Sequence, residues 1–313
     1  MSLKPKLLVI VGPTASGKSD LAVRIAEWIA ANKIGGYRGA EVISADSRQV
    51  YTKLDIGTGK ITSTEMRGIP HHLLDVANPE VRFTTMDWKV LDEKAITEII
   101  SRGNLPIICG GTGFYISTLI DDLGFPEVEA DTDEQKELES RPVDELFAEL
   151  KKYDPARSST IDPKNKRRLA RAIIIARKLG SVPAVTRPQE QPYDVEMIGI
   201  RLADEVLKDR INKRLISRLD AGMIAEAEHL IAPPPAGSGL SFERMDELGL
   251  EYRYLGYFLQ KQLTREELIE RLSSKIWQYA KRQMTWFKKE ERIHWFEAAN
   301  VEGINKEIEG FLK

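Results

Sequence analysis

Short apolar runs alternate with longer amphipathic stretches over the first 120 residues of the chain. Continuous apolar runs at 6–11, 41–45 and 105–109 predict buried strands, since parallel strands covered on both faces lose the apolar–polar alternation. Amphipathic stretches at 20–31 and 84–101 predict helices between them. This order predicts an α/β fold with a parallel sheet, whose ligands bind at the carboxyl ends of the strands.

The pattern changes near residue 121. Residues 121–163 are acidic, contain several prolines and hold no apolar strand run. A helix is predicted at 164–179, with Asp162-Pro163 as its N-terminal signal. An apolar run at 197–202 then predicts one more core strand. We therefore expect two domains, which are an α/β core with flanking helices (1–120 and 196–313) and an inserted all-helical subdomain (121–195).

The last third of the chain reads as helical. Leu207, Ile211, Leu215 and Leu219 form an apolar row at helical spacing, and Arg210, Arg214 and Arg218 form a basic row beside it. The basic row is either a solvated helix face or a set of cations for an anionic ligand. Thr264 and Glu267 form a capping-box signal for a long final helix.

Composition and charge exclude several classes of protein. The 313 residues contain one cysteine and four histidines without H-E-x-x-H spacing, which excludes an internal disulfide and a multi-cysteine zinc site and argues against a metalloprotease. The net charge of −2 means that a nucleic-acid partner must be met by local basic patches. Because no apolar stretch approaches about 20 residues, we expect no membrane partner. The N-terminal apolar run is interpreted as a strand rather than a signal peptide.

A phosphate-binding motif follows the first predicted strand. It matches G-x-x-x-x-G-K-[ST] and consists of Gly12, Pro13, Thr14, Ala15, Ser16, Gly17, Lys18 and Ser19. Glycine lets backbone amides curl around a phosphate, and the following helix N-terminus favours negative charge. Lys18 is expected to reach phosphate oxygens and Ser19 to hold Mg²⁺. With this loop, the predicted core (1–120 and 196–313) is P-loop NTPase-like and is interpreted as the catalytic domain. ATP is the usual occupant of such a loop, so a kinase or an ATPase is the default interpretation.

Asp46 follows the second predicted strand, in ADSRQVY (45–51). A carboxylate beside a bound polyphosphate can act as a general base or serve Mg²⁺. It can equally cap the turn after the strand. The phosphate loop at the same edge of the sheet favours the functional interpretation.

The motif order as a whole resembles the tRNA dimethylallyltransferase (tRNA isopentenyltransferase) family, in its bacterial form. The segments that carry the resemblance are GPTASGKS (12–19), ADSRQVY (45–51), LDIGTGK (54–60), PHHLLD (70–75), CGGTGFY (109–115) and KRQMTWFKKEERIHWF (281–296). Such enzymes transfer a dimethylallyl group from dimethylallyl diphosphate to N6 of adenosine 37 of tRNA and release pyrophosphate. The resemblance therefore implies that the loop binds an isoprenoid diphosphate rather than ATP.

The resemblance also implies roles for individual residues. Asp46 would be the base that takes a proton from N6. Lys18, Mg²⁺ on Ser19, Arg214 and secondarily Arg210 would stabilise the leaving pyrophosphate, and Thr112 would lie near the reacting centre. Beside Asp46, the residues Ser47, Arg48 and Gln49, together with Thr112, would receive an adenine drawn out of its stack.

Two basic segments are candidate contacts for the anticodon stem-loop of tRNA. In the helix at 164–179, the resemblance points to Arg167, Arg168 and Arg171, although such a face is also typical of an ordinary solvated helix. In the last helix it points to Lys281, Arg282, Gln283 and Trp286. Trp286 can stack on a base or pack in the core.

Two related activities remain as alternatives. An adenylate isopentenyltransferase would use the same site on free AMP, and a small-molecule kinase would bind ATP. A non-catalytic RNA-binding protein would not need Asp46, Lys18 and Ser19 together. We expect a cytoplasmic monomer whose ligands are tRNA, dimethylallyl diphosphate and Mg²⁺.

Overall fold

A six-stranded sheet forms the centre of the structure. In the computed structural model, which describes residues 4–126, 128, 132–186, 188 and 190–313, the strands are β1 (Lys6–Val11), β2 (Ala40–Ala45), β3 (His71–His72), β4 (Leu105–Gly110), β5 (Asp194–Arg201) and β6 (Ile293–Glu297). Their order is β3-β2-β4-β1-β5-β6, and every neighbouring pair is parallel. The α/β class and the parallel sheet predicted from the sequence are thus confirmed.

Helices connect and cover the strands. In chain order they are α1 (Lys18–Asn32), α2 (Ser63–Met66), α3 (Thr85–Ser101), α4 (Gly113–Ile120), α5 (Thr132–Ser140), α6 (Val143–Tyr153), α7 (Pro155–Ser158), α8 (Lys166–Leu179), α9 (Asp204–Asp220), α10 (Met223–Ile231), α11 (Phe242–Leu248), α12 (Leu250–Leu259), α13 (Arg265–Phe287) and α14 (Val301–Leu312). The capping box predicted at Thr264 is present, and α13 begins at the next residue.

Alternate residues of β1 enter two different apolar cores. Val9 and Val11 pack with residues of α3, α4, α9, α12 and α13 on one face of the sheet. Leu8 and Ile10 pack with α1 and α14 on the other face. Because both faces are covered, the strand has no polar side, which explains its continuous apolar sequence.

The structure corrects three details of the sequence analysis. Strand β5 begins at Asp194, before the predicted 197–202, because its first residues pair with the start of β1. Helix α8 begins at Lys166, and its cap is the side chain of Asn165. Asp162, predicted as the cap, instead accepts a hydrogen bond from the amide of Lys164 within its own turn. Strand β6 was not predicted, because its sequence IHWFE mixes polar and apolar residues and gives no continuous apolar run.

The chain divides into two compact units. One comprises Met1–Ile120 and Gln191–Lys313, and the other comprises Asp121–Glu190. The second unit is helical and has its own apolar core around Leu138, Leu146 and Ile173. In the predicted insert, residues 127, 129–131, 187 and 189 lie outside the described residues. Among the helices that the structure describes, none combines the length and the apolar character needed to cross a membrane.

Candidate active site

The phosphate loop connects β1 to α1. Gly17, immediately before the helix, has φ of 93°, a left-handed conformation that suits glycine. A Cβ on Gly12 would lie 2.9 Å from the carbonyl oxygen of Ile200, so this position must also lack a side chain. Because α1 begins at Lys18, the amides of its first turn have no partner within the helix, an arrangement that suits an anion.

Lys18 lies at this helix start and is half-buried. Its ammonium donates a weak hydrogen bond to the carbonyl oxygen of Pro13 at 3.4 Å. Burial lowers the pKa of Lys18, the charge of Arg214 lowers it further, and Asp46 opposes these effects. The charges of Asp46 and Arg214 are thus close enough to the ammonium group of Lys18 to change its pKa. Ser19, the predicted Mg²⁺ ligand, is exposed in the first turn of α1.

Asp46 lies directly after β2. Its Oδ1 accepts hydrogen bonds from the backbone amides of Arg48 at 2.9 Å and Gln49 at 3.4 Å. The turn-capping role considered from the sequence is therefore present. Among the residues that the structure describes, none forms a hydrogen bond with the other carboxylate oxygen, Oδ2. One carboxylate can thus hold the turn through Oδ1 and offer Oδ2 to a substrate proton.

Thr112 joins the ends of two neighbouring strands. Its hydroxyl accepts a hydrogen bond from the amide of Ser47 at 3.1 Å, and its own amide donates to the carbonyl oxygen of Ala45 at 3.1 Å. These bonds fix the turn after β4 against the turn after β2. The predicted site residues Asp46, Ser47 and Thr112 are therefore close together in the structure.

The basic row of α9 reaches the same edge of the sheet. Arg210 is exposed and donates to the carbonyl oxygen of Ser16 in the phosphate loop at 3.4 Å. Arg214 donates to the carbonyl oxygen of Gly59 at 3.0 Å, and that oxygen also accepts from the side-chain Nε2 of Gln49 at 3.3 Å. Burial and the neighbouring Arg218 lower the pKa of Arg214 to about 10. Arg210 and Arg214 of this row thus contact loops of the candidate site, an arrangement that suits an anionic ligand.

The side chain of Gln283 lies between two loops of the site. It is only 6% exposed, and its amide joins two loops of the site. Its oxygen accepts from the amide of Thr14 at 2.8 Å, and its nitrogen donates to the carbonyl oxygen of Gly111 at 2.9 Å. The side chain of Gln283 thus holds the phosphate loop against the turn after β4, and its predicted contact with RNA stays a prediction. The sequence did carry a signal, because Ile276, Ala280, Gln283 and Phe287 form one buried stripe of α13.

The other predicted RNA contacts of α13 are on its surface. Lys281, Arg282 and Trp286 are exposed. Trp286 is 43% exposed and meets the ring of Phe114 edge to face, with centroids 6.3 Å apart. A Cβ on Gly113 would lie 2.2 Å from the indole. The indole therefore lies against the start of α4, the helix that follows Thr112.

In the second unit, α8 carries the other predicted RNA contacts. Arg167 and Arg168 are exposed at its N-terminal end. Arg171 is half-buried and donates to the carbonyl oxygen of Val128 at 2.5 Å, and burial lowers its pKa. Arg171 therefore supports the unit internally, whereas Arg168 presents its side chain to solvent.

Sequence comparison connects this site to known enzymes. The sequence model of the IPP transferase family matches residues 49–290. The tRNA dimethylallyltransferase of Halalkalibacterium halodurans is 38% identical over 321 residues, which cover 99% of this chain and 97% of that protein. The tRNA dimethylallyltransferase of Staphylococcus carnosus is 38% identical over 308 residues, covering 95% of this chain and 93% of its own.

Two solved structures are also similar to this chain. The tRNA isopentenylpyrophosphate transferase of Bacillus halodurans superposes with a TM-score of 0.69 at 36% identity, covering 99% of this chain and 97% of that one. Crystallographic snapshots of a eukaryotic dimethylallyltransferase acting on tRNA match with a TM-score of 0.76 at 24% identity, over 97% of this chain and 76% of that one. This second likeness concerns the fold.

Proposed function

The chain belongs to the IPP transferase family, and we propose that it transfers a dimethylallyl group from dimethylallyl diphosphate to N6 of adenosine 37 of tRNA. The product is N6-isopentenyladenosine, and pyrophosphate is released. Relatives of nearly the same length that are named tRNA dimethylallyltransferase support the reaction.

The observation that carries the proposal is the meeting of an anion site with a carboxylate. Lys18 and Arg214 lie near Asp46, and the loop before α1 offers backbone amides. A phosphate loop alone would suit ATP equally well. The nearby carboxylate oxygen that lacks a partner within the described chain suits a reaction that removes a proton beside a leaving diphosphate.

The reaction balances with these groups. A bond forms between N6 of adenine and C1 of the dimethylallyl group, the C1–O bond breaks, and its electron pair leaves with pyrophosphate. The proton of N6 goes to Oδ2 of Asp46. Lys18 and Arg214 stabilise the charge that develops on the leaving group, which is where cations lower the barrier most. Arg210 and the loop amides bind the same diphosphate.

A magnesium ion fits this donor set. Mg²⁺ prefers oxygen ligands and is commonly held by one or two protein oxygens together with phosphate oxygens. The hydroxyl of Ser19 would hold it, at the exposed start of α1. When bound, the ion would neutralise part of the diphosphate charge.

The tRNA would be bound by surface cations and by the residues around Asp46. Lys281, Arg282 and Trp286 are exposed on α13, and Arg167 and Arg168 are exposed on α8. Phosphate contacts of this kind give affinity without reading sequence. The adenine itself must leave its stack to reach the carboxylate, and Ser47, Arg48 and Gln49 line the turn that would receive it.

A transfer assay tests the proposal. The protein is incubated with Mg²⁺, radiolabelled dimethylallyl diphosphate and unmodified tRNA carrying adenosines at 36 to 38. The matched substrate control is the same tRNA with guanosine at position 37. We expect label in the first tRNA only, recovered as N6-isopentenyladenosine after nuclease digestion.

Two parallel reactions test the alternatives. Label appearing in free AMP but not in tRNA would make the protein an adenylate isopentenyltransferase. Turnover of ATP without any prenyl transfer would make it a kinase. Either result would overturn the proposal.

A further inference from the structure

The loop at residues 54–60 holds three side chains of the candidate site. Its Gly59 carbonyl oxygen accepts from Arg214 at 3.0 Å and from Gln49 at 3.3 Å. Its Gly57 carbonyl oxygen accepts from Arg218 at 3.3 Å. The carbonyl groups of one short loop therefore orient two half-buried arginines and a residue of the turn after β2.

The amide groups of the same loop bind one carboxylate. Glu226, in the first turn of α10, accepts from the amides of Asp55 at 2.9 Å and Ile56 at 2.7 Å through Oε2. Its Oε1 accepts from the amide of Gly57 at 2.9 Å and from the hydroxyl of Tyr252 at 2.7 Å. Four donors on one carboxylate form a strong, charge-assisted set of hydrogen bonds.

Contact between the loop and the arginines is close. Gly59 has φ of 59°, and a Cβ on it would lie 2.0 Å from a guanidinium nitrogen of Arg218 and 2.3 Å from one of Arg214. The guanidinium groups therefore lie directly against the backbone, with no intervening side chain. Any displacement of the loop must move Arg214, or break its hydrogen bond to Gly59.

The arginine pair needs such support. Arg214 and Arg218 carry like charges. Arg218 pairs with the carboxylate of Glu251 at 3.4 Å, whereas burial together with Arg218 lowers the pKa of Arg214 to about 10. Like charges that are close and shielded from water repel one another. Fixed carbonyl oxygens hold the guanidinium group of Arg214 in place without neutralising its charge, which stays available to a diphosphate.

We propose that Glu226 is a positioning residue for prenyl transfer, which holds the loop at 54–60 so that its carbonyl oxygens aim Arg214 at the leaving diphosphate. The inference rests on the proposed function for the role of Arg214. Glu226 itself touches no reacting atom, since its oxygens bond to loop amides and to Tyr252.

Glu226→Gln is the direct test. The side-chain amide keeps one acceptor oxygen but turns an NH₂ group toward backbone N–H donors, so at least one bond to the loop is lost. A misplaced catalytic group costs about 10²-fold in rate for an error near 1 Å. We therefore expect kcat to fall about 10- to 100-fold, with the KM for tRNA changed less than twofold. Glu228→Gln, an exposed residue of the same helix, is the matched control and should behave like the wild type.

A double variant separates positioning from general destabilisation. If Glu226 acts through Arg214, adding Glu226→Gln to Arg214→Ala should lower kcat by no more than about twofold beyond Arg214→Ala alone. The inference would be overturned if the fold reductions in kcat of the two single variants multiply in the double variant, or if kcat is unchanged in Glu226→Gln. If Glu226→Gln does not fold, Tyr252→Phe takes its place. It removes one donor to Glu226, and the same non-additivity with Arg214→Ala is expected.

Failure of the proposed function gives a different result. In that case the wild-type protein transfers no label to tRNA at all. Calorimetry with inorganic pyrophosphate then tests Glu226 independently of transfer. We expect Glu226→Gln to bind pyrophosphate about tenfold more weakly than Glu228→Gln. Equal affinities would refute the positioning role even without an assay for transfer.

Discussion

Replacing Gln283 by alanine removes the amide that joins the phosphate loop to the turn after β4. Two hydrogen bonds disappear, from the amide of Thr14 at 2.8 Å and to the carbonyl oxygen of Gly111 at 2.9 Å. The site is 6% exposed, so both backbone groups lose their partner in a place that water reaches poorly. A buried polar group left unpaired costs about 1–3 kcal/mol. For two such groups, the expected loss of unfolding free energy is roughly 2–6 kcal/mol.

Urea unfolding and tRNA binding measure the two possible roles of Gln283 separately. Gln278→Ala, at an exposed position of the same helix, is the control for a glutamine lost from α13. We expect Gln283→Ala to unfold at lower urea and to bind pyrophosphate more weakly, because the phosphate loop loses its support. Binding of tRNA by the folded variant should remain within about twofold of the control. An unchanged stability with a tenfold weaker tRNA affinity would refute this reasoning and restore the RNA contact predicted from the sequence.

Three further predictions concern Asp46, the basic end of α8 and a buried carboxyl group. Asp46→Asn keeps an oxygen for the turn amides but removes the base, so transfer should fall about 10²- to 10⁴-fold with tRNA binding intact in a filter assay; a parallel loss of binding would indicate a structural role. Arg167→Ala with Arg168→Ala should weaken tRNA binding and reduce the slope of log K against log salt by about 1–2, whereas Arg177→Ala, whose guanidinium pairs with Glu134 and Glu149, should leave that slope unchanged. Asp92 is fully buried, its carboxylate finds no hydrogen-bond partner in the described part of the chain, and burial raises its pKa well above the usual value. A carboxyl group whose pKa is raised by folding leaves the free energy of unfolding unchanged below its unfolded pKa near ~4 and lowers that free energy by up to about 1.4 kcal/mol per pH unit above it. Asp92→Asn should therefore stabilise the protein at pH 7 and lose that advantage toward pH 4 in thermal melts. A gain in stability that does not depend on pH would contradict this account.

Elements of the fold that depend on local pattern could be predicted from the sequence. Strand β1 and the helix after it follow from a continuous apolar run, a glycine-rich turn and an amphipathic stretch. The start of α8 was misplaced because two capping signals stand close together, and Asn165 rather than Asp162 caps the helix. Local patterns therefore predict which elements exist better than where each one begins.

The candidate site could be predicted only where a residue's role follows from its own motif. Lys18 and Asp46 lie in short motifs at strand ends, and parallel topology brings such ends together. Gln283 lies between cations, which suggested RNA, yet its helical spacing with Ala280 and Phe287 places it in the core. Glu226 gave no signal, because its partners are backbone amides about 170 positions earlier in the chain, and amide donors have no residue type to recognise.

A backbone carbonyl rather than an acidic side chain holds Arg214, and this has a consequence for the proposed reaction. A carboxylate paired with Arg214 would fix its position but would also neutralise part of its charge before the diphosphate arrives. A carbonyl oxygen of Gly59 fixes the guanidinium at 3.0 Å with a dipole only. The carboxylate of Glu226 bonds to loop amides on the other side of the backbone, and the carboxylate of Glu251 pairs with Arg218 rather than with Arg214. The positive charge of Arg214 therefore remains available for the leaving group, and its orientation is already set before substrate binds.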